Sequence, residues 1–274
     1  MSRIFRITVS HSILIWGVLL MIVPLWLVFA SSTHTNSYIY NEGMQWKIGG
    51  EFFENYDKVL NRKGGFTKEI TASGIFYNSF IMAFGIASLS VFVSMMAAYS
   101  LVYFKTRFST LFFWLIFITL LVPLELRILP SYQIVSDLNL LNSYAGLILP
   151  LSASAIATFF FRQYYRSIPE ELLEAAKLDG ANSWKFFIDF LVPLSKTMVA
   201  AMFIFMFVYG YNQYLWPLIM TTSEKYWTVV MGLKIIYGGN SVDRYTYVIL
   251  SLIPPVIIIV FLQRLFIQGL FQSK

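Results

Sequence analysis

Two polar runs set into strongly apolar sequence hold the groups best suited to chemistry. They are PLELRILP (Pro123–Pro130), with Glu125 and Arg127, and YGYNQYLWP (Tyr209–Pro217), with Asn212 and Gln213. The chemistry they offer is recognition. A guanidinium stays charged and presents a fixed fork of donors to a carboxylate or phosphate. Amides offer paired donors and acceptors, which are costly to leave bare in lipid and so face helices, water or solute. Two readings of Arg127 stand side by side. It lines the route of an anionic solute, or it pairs with Glu125 or snorkels to headgroups at the outer interface. Glu125 and Arg127 are two apart and share no face of a straight helix, although Pro123 can reshape that turn. Asn212 and Gln213 are open to the same alternatives, as interhelix bonds or as solute contacts beside Tyr209. Successive residues project about 100° apart, so at most one or two of that run line a pore together. Tyr214 and Trp216 could equally be interfacial belt residues.

Catalytic sets are missing from the sequence. It has no cysteine and only two histidines, His11 and His34, at the ends of the first apolar stretch. It contains no HExxH, GxSxG or GxxxxGK[ST] string, and no paired carboxylates within the apolar stretches. These absences lead us to expect no enzyme activity, no metal and no cofactor, and if ATP drives the protein another polypeptide hydrolyses it.

A third segment, EAAKLDGANSWKFFIDFLVP (Glu174–Pro193), is polar between two long apolar stretches. It opens as a short helix. Pro169 fits a first-turn position, Glu170 and Glu171 place negative charge at the positive end of the dipole, and Gly180 suits a C-terminal left-handed residue. Leu172, Ala175, Ala176 and Asp179 fall at i, i+3, i+4 and i+7, a face small enough for a partner surface to approach closely. The plain alternative is a surface amphipathic helix.

The elements that position these groups follow from hydropathy. Hydrophobic residues make up 58% of the 274 and charged residues 12%, well below the roughly 25% charged of soluble domains. Six stretches are long enough to span a bilayer: residues 12–30, 75–102, 110–129, 143–161, 197–220 and 245–266. They lack the alternation of a barrel, so we expect an all-α polytopic membrane protein of six helices. With both termini inside, eleven basic and five acidic residues lie on the inner side and nine of each on the outer, so the net charge of +6 falls on one side. The basic balance thus reflects topology, and no nucleic-acid partner is expected. The first stretch is read as an uncleaved helix.

The expected order is an inner N-terminus (1–11), an outer loop (31–74) and a membrane domain (75–269). Trp46, Phe52, Phe53 and Tyr56 suggest that Asn41–Asp57 is a partly ordered cap rather than a disordered linker. Phe104–Ser109 reads as a tight basic turn, Pro130–Asn142 as a short outer connection, and 162–196 as the one sizeable inner loop. Gly238-Gly239-Asn240 signals an outer turn. Pro24, Pro123, Pro217 and Pro254-Pro255 predict kinks.

The Glu174–Pro193 segment resembles the EAA loop of permeases of ATP-binding-cassette importers, EAA-x3-G-x9-I-x-L-P. Phe190 and Val192 stand where the family prefers Ile and Leu. Beyond that loop the chain is similar to MetI-like permeases from about Asn78 to Gly269. It is most similar to their carbohydrate-uptake branch, and there to the E-type subunits of sn-glycerol 3-phosphate import. Phe112–Pro130, Ser143–Gln163, Tyr211–Leu218 and Leu252–Val260 carry this likeness. The loops Ser31–Ser73 and Ser223–Asp243 match less well. The resemblance implies a type I importer fold with both termini cytoplasmic, in the inner membrane. It also implies a second homologous permease, a dimer of cytoplasmic ATPase subunits and a periplasmic substrate-binding protein as partners. Glu174, Ala175, Ala176, Leu178, Asp179 and Gly180 would dock the ATPase, and ATP binding would turn the cavity outward. A neutral sugar or oligosaccharide is the alternative cargo. A secondary transporter is the alternative of another class, against which stands the lack of a carboxylate near any span centre.

Overall fold

The computed structural model describes residues 3–61, 70–104, 106–236 and 240–271. Lys105 of the Phe104–Ser109 turn, Lys274 among the inner basic residues, and Gly238 and Gly239 of the outer turn lie outside them. All regular structure among the described residues is helical. In chain order the helices are α1 (Arg3–Ser32), α2 (Asn36–Glu42), α3 (Phe52–Asn61), α4 (Ala72–Tyr103), α5 (Ser109–Ile118), α6 (Leu124–Asp137), α7 (Tyr144–Ile148) and α8 (Ala155–Arg166). They continue with α9 (Glu170–Leu178), α10 (Ser183–Lys185), a π-helical segment Phe186–Leu191, α11 (Val192–Leu194), α12 (Lys196–Tyr211), α13 (Leu215–Met220), α14 (Val229–Ile236) and α15 (Ser241–Phe271).

Three uninterrupted helices are long and apolar enough to cross a bilayer: Ile7–Ser32, Ala72–Tyr103 and Ser241–Leu265. The count reaches six if each of three bent helix pairs is one span. α1 runs on through Pro24, and α15 through Pro254 and Pro255. Ile13, Trp16, Leu20 and Met21 of α1 are each more than 60% exposed. A helix apolar all round and left uncovered belongs in lipid.

The other expected spans are interrupted. The stretch 110–129 is not one helix: α5 tightens into a 3-10 turn at Thr119–Leu121, and Val122 is extended (φ −90°, ψ 110°) ahead of Pro123. A proline disfavours helical geometry in the residue before it. α6 then leaves at 106° and continues to Asp137, so most of the expected Pro130–Asn142 connection is helical. The stretch 143–161 breaks at Ser152–Ser154 with a 47° bend and extends to Arg166. The stretch 197–220 ends its long helix at Tyr211 and resumes only as α13. The 162–196 segment is more helical than a loop, and Ser183–Leu194 meets α12 at 76°.

By compactness the chain falls into two units. The first contains the chain up to Phe76 together with Met231–Ile253. Here the end of α1 is fixed by buried hydroxyls rather than by apolar packing alone. Ser31, Ser32 and Thr33 are fully buried. Thr33 Oγ1 donates to the Ala30 carbonyl and accepts from the Gly49 amide, and Ser31 Oγ accepts from the Gln45 amide. Asn55 Nδ2 donates to the carbonyls of Ser32 and His34 at 2.9 Å. Phe52 stacks on Tyr56 at 4.3 Å. Of the aromatics of 41–57, Phe52 and Tyr56 thus pack at the end of α1, while Trp46 and Phe53 stay exposed. Lys58 Nζ reaches both carboxylate oxygens of Asp243 at 2.9 Å, which ties α3 to α15.

The second unit contains Tyr77–Val230 and the chain from Pro254. Asn78 is its polar anchor: its amide donates to the carbonyls of Lys225 and Trp227 and accepts from the Tyr144 hydroxyl at 2.7 Å. Asn142, at φ 54°, accepts from the amides of Thr222 and Ser223 at 2.8 Å each. Where α12 passes α4, a Cβ on Gly210 would stand 3.1 Å from Ala83 Cα, so the small residue permits the approach of two backbones.

Candidate functional site

Two of the helix interruptions meet in one cavity of about 330 Å³ within the second unit. Its wall takes Thr119, Val122 and Pro123 from the first break and Leu151, Ala153 and Ser154 from the second. Arg127 lines it from the second turn of α6, and Tyr209 from α12. The local sequence explains both placements. Pro123 starts α6 as its N-cap, which swings Glu125 and Arg127 away from the line of α5. Ser154 caps α8 by accepting from the Ala157 amide at 3.2 Å. Trp216, 1% exposed, closes the cavity and donates its indole N–H to the Leu147 carbonyl.

Of the five candidate path residues, Arg127 and Tyr209 thus come together. Glu125 is exposed and does not line the cavity, nor do Asn212 and Gln213. Asn212 is the exposed C-cap of α12, and Gln213 folds back to donate to the Tyr209 carbonyl at 3.3 Å. The Gln213 amide and the Asn212 backbone N–H therefore finish α12 within their own chain segment. Thr119, Ser131 and Ser154 line the cavity without having been named from the sequence, and Trp216, open to a belt reading there, is instead buried against it. Pro123 and the Ser152-Ala153-Ser154 string were the available signals. The arrangement can hold a small polar solute beside a guanidinium, and it contains no nucleophile–base pair. Among the described residues no group of three metal-ligating side chains exists.

The second candidate region is α9. Pro169 is its N-cap rather than a first-turn residue (φ −58°, ψ 139°), with Glu170 and Glu171 in the first turn. Its end is a Schellman motif. The Ala181 amide donates to the Ala176 carbonyl at 2.9 Å, the Gly180 amide donates to Lys177 at 3.0 Å, and Gly180 sits at φ 76°. The face assignment needs correcting. Ala176 is 1% exposed and packs with Leu173 into a core of Tyr99, Phe161, Tyr165, Phe186, Phe187 and Leu191. The outward surface is instead Glu174, Ala175, Leu178 and Asp179, with Leu178 at 89% exposure. Ala176 is small because it must fit beneath the helix. The loop is fastened to α4, whose Tyr99 hydroxyl donates to the Ser183 carbonyl at 2.8 Å.

Residues 90–272 match the family model of the binding-protein-dependent transport system inner membrane component. The chain belongs to this family. The match covers the cavity, α9 and the core beneath it, and members of the family are transport permeases. Over 270 residues the permease is 42% identical to the sn-glycerol-3-phosphate transport system permease protein UgpE of Yersinia pestis bv. Antiqua, covering 96% of this chain and 95% of that protein. The protein of that description from Shigella flexneri serotype 5b is also 42% identical, over 97% of this chain and 96% of its own. The one from Brucella melitensis biotype 1 is 40% identical over 273 residues. Among solved structures, the permease is similar to a chain of a bacterial ABC transporter involved in the import of the acidic polysaccharide alginate. The TM-score is 0.78, at 21% identity, over 96% of this chain and 98% of that one. That likeness establishes the fold.

Proposed function

We propose that this permease is one membrane subunit of an ATP-driven importer that carries sn-glycerol 3-phosphate across the inner membrane. The observation that carries the reading is similarity over nearly the whole chain, at 42% identity, to permeases named for that solute. The cavity is consistent with it. At about 330 Å³ it lies at the low end of ligand sites, which span roughly 300–1,000 Å³. A three-carbon phosphate ester suits that space better than an oligosaccharide does, and Arg127 supplies a guanidinium for a phosphate.

In this reading six spans cross the bilayer with both termini in the cytoplasm, counting each bent helix pair as one span. The partners are a second homologous permease, two ATPase subunits and a periplasmic binding protein. α9 enters a groove of the ATPase with Glu174, Ala175, Leu178 and Asp179, while Leu173 and Ala176 pass the movement into the core. The permease itself performs no chemistry; it offers the solute a charged, alternately open cavity.

The test is ATP-dependent accumulation of labelled sn-glycerol 3-phosphate in proteoliposomes holding the whole complex and its binding protein. Accumulation that an excess of unlabelled phosphate ester abolishes and neutral sugars leave intact is expected. Competition by a neutral sugar alone would reassign the cargo, and accumulation without the ATPase would overturn the mechanism.

A further inference from the structure

Arg162 and Arg166 stand four residues apart near the C-terminal end of α8, on one side of the helix. Both line a second cavity, of about 320 Å³, with Tyr103 at the end of α4, Tyr165, and Leu173 of α9. Glu170 is the single carboxylate in that lining, so the wall is net cationic. Phe113 lies 3.8 Å from the Arg162 guanidinium carbon and covers one face of the group. The Arg162 Nε is buried without a hydrogen-bond partner. Among the described residues, neither guanidinium lies within ion-pair distance of a carboxylate. Like charges spaced i, i+4 repel each other, and buried donors want acceptors. A tetrahedral oxyanion answers both needs.

The rest of the lining narrows the source of that oxyanion. Leu101, Val102, Ile168 and Leu173 set an apolar wall beside the cations. A phosphate attached to a glycerol backbone and acyl chains matches that pairing, whereas free phosphate leaves the apolar wall unused. Basic pockets between membrane helices are known receivers of anionic headgroups. We propose that this cavity binds the phosphate headgroup of an anionic phospholipid and so braces α4, α8 and α9 against one another. The inference rests on the permease reading only in placing α4 and α8 within the bilayer.

The test uses the full complex in nanodiscs of zwitterionic lipid, titrated with phosphatidylglycerol, with bound lipid counted by native mass spectrometry and the thermal midpoint recorded. Neither readout requires transport, so this idea and the proposed cargo fail separately. For the wild type, retained phosphatidylglycerol and a raised midpoint are expected. The paired change Arg162→Gln with Arg166→Gln should weaken retention on the order of tenfold. Arg166→Gln alone, at an exposed position, should weaken it by a smaller factor and keeps the test valid if the paired variant does not fold. Equal retention by wild type and Arg166→Gln would overturn the site. Inorganic phosphate raising the midpoint equally in zwitterionic discs would overturn the lipid as its source.

Discussion

The Tyr99 hydroxyl donates to the backbone carbonyl of Ser183 across 84 positions of sequence, at 2.8 Å. That bond joins α4 to the segment following α9, in the middle of the aromatic core that α9 rests on. Tyr99→Phe keeps the ring packing and removes only the donor. A neutral hydrogen bond contributes about 1 kcal/mol net. The expected outcome is a small fall in thermal midpoint with a larger fall in the transport gained per ATP hydrolysed. Unchanged coupling in reconstituted complex would show that the bond is merely structural.

Gly180 ends α9 at φ 76°, in the left-handed region, and no atom stands within 4 Å of where its Cβ would be. The constraint there is conformational and not one of space. Gly180→Ala should cost about 1–2 kcal/mol, and Gly180→Asn less, because asparagine tolerates that geometry. Thermal denaturation of the two variants checks the order. A midpoint for alanine at or above that for asparagine contradicts it.

Leu178 is 89% exposed on the outward surface of α9, and Glu174 lies one turn before it. Leu178→Asp and Glu174→Lys should leave stability within about 0.5 kcal/mol, as exposed changes generally do. Both should still deprive the permease of its ATPase. Co-purification of the tagged permease with the ATPase reads this directly. Full recovery of the ATPase with both variants would remove α9 as the docking surface.

Arg127 is exposed within the larger cavity, so its removal leaves no buried partner unpaired. Arg127→Ala should reduce uptake of a phosphate ester by about tenfold to a hundredfold, the range that a charge-assisted hydrogen bond supports. Arg127→Lys should recover part of the loss without the bidentate geometry. KM for uptake is the measurement, and equal values for all three proteins would detach this side chain from the solute.

The extent of the apolar stretches and the register of Glu174–Gly180 were legible because they depend on composition and spacing. The breaks were harder to see. Thr119–Leu121, Ser152–Ser154 and Asn212–Tyr214 are flanked by residues apolar enough to carry a hydropathy window across them. Pro123 is the exception, since its effect on Val122 is local and depends on the adjacent residue alone. On the expected partner-facing side of α9, Ala175 and Asp179 are outward, but Ala176 turns to the core with Leu173. Ala175 and Ala176 are adjacent and alike in type, and only the aromatic residues packed beneath distinguish them. Those come from α4, α8 and the π-helical segment, far apart in sequence. Arg127 and Tyr209 were each conspicuous, but their meeting needed the turn at Pro123.

The larger cavity is walled by two places where a helix loses its regular ladder. Within a bilayer, irregular backbone is tolerated where it is covered by protein or bathed by water. A chamber edged by such backbone can admit solvent, and water inside it would raise the local dielectric. The charge of Arg127 therefore acts over a short range, and dissolved ions can reach it. Capture of an anion here should weaken as ionic strength rises, so the chamber works as a shallow electrostatic trap that also lets its contents go.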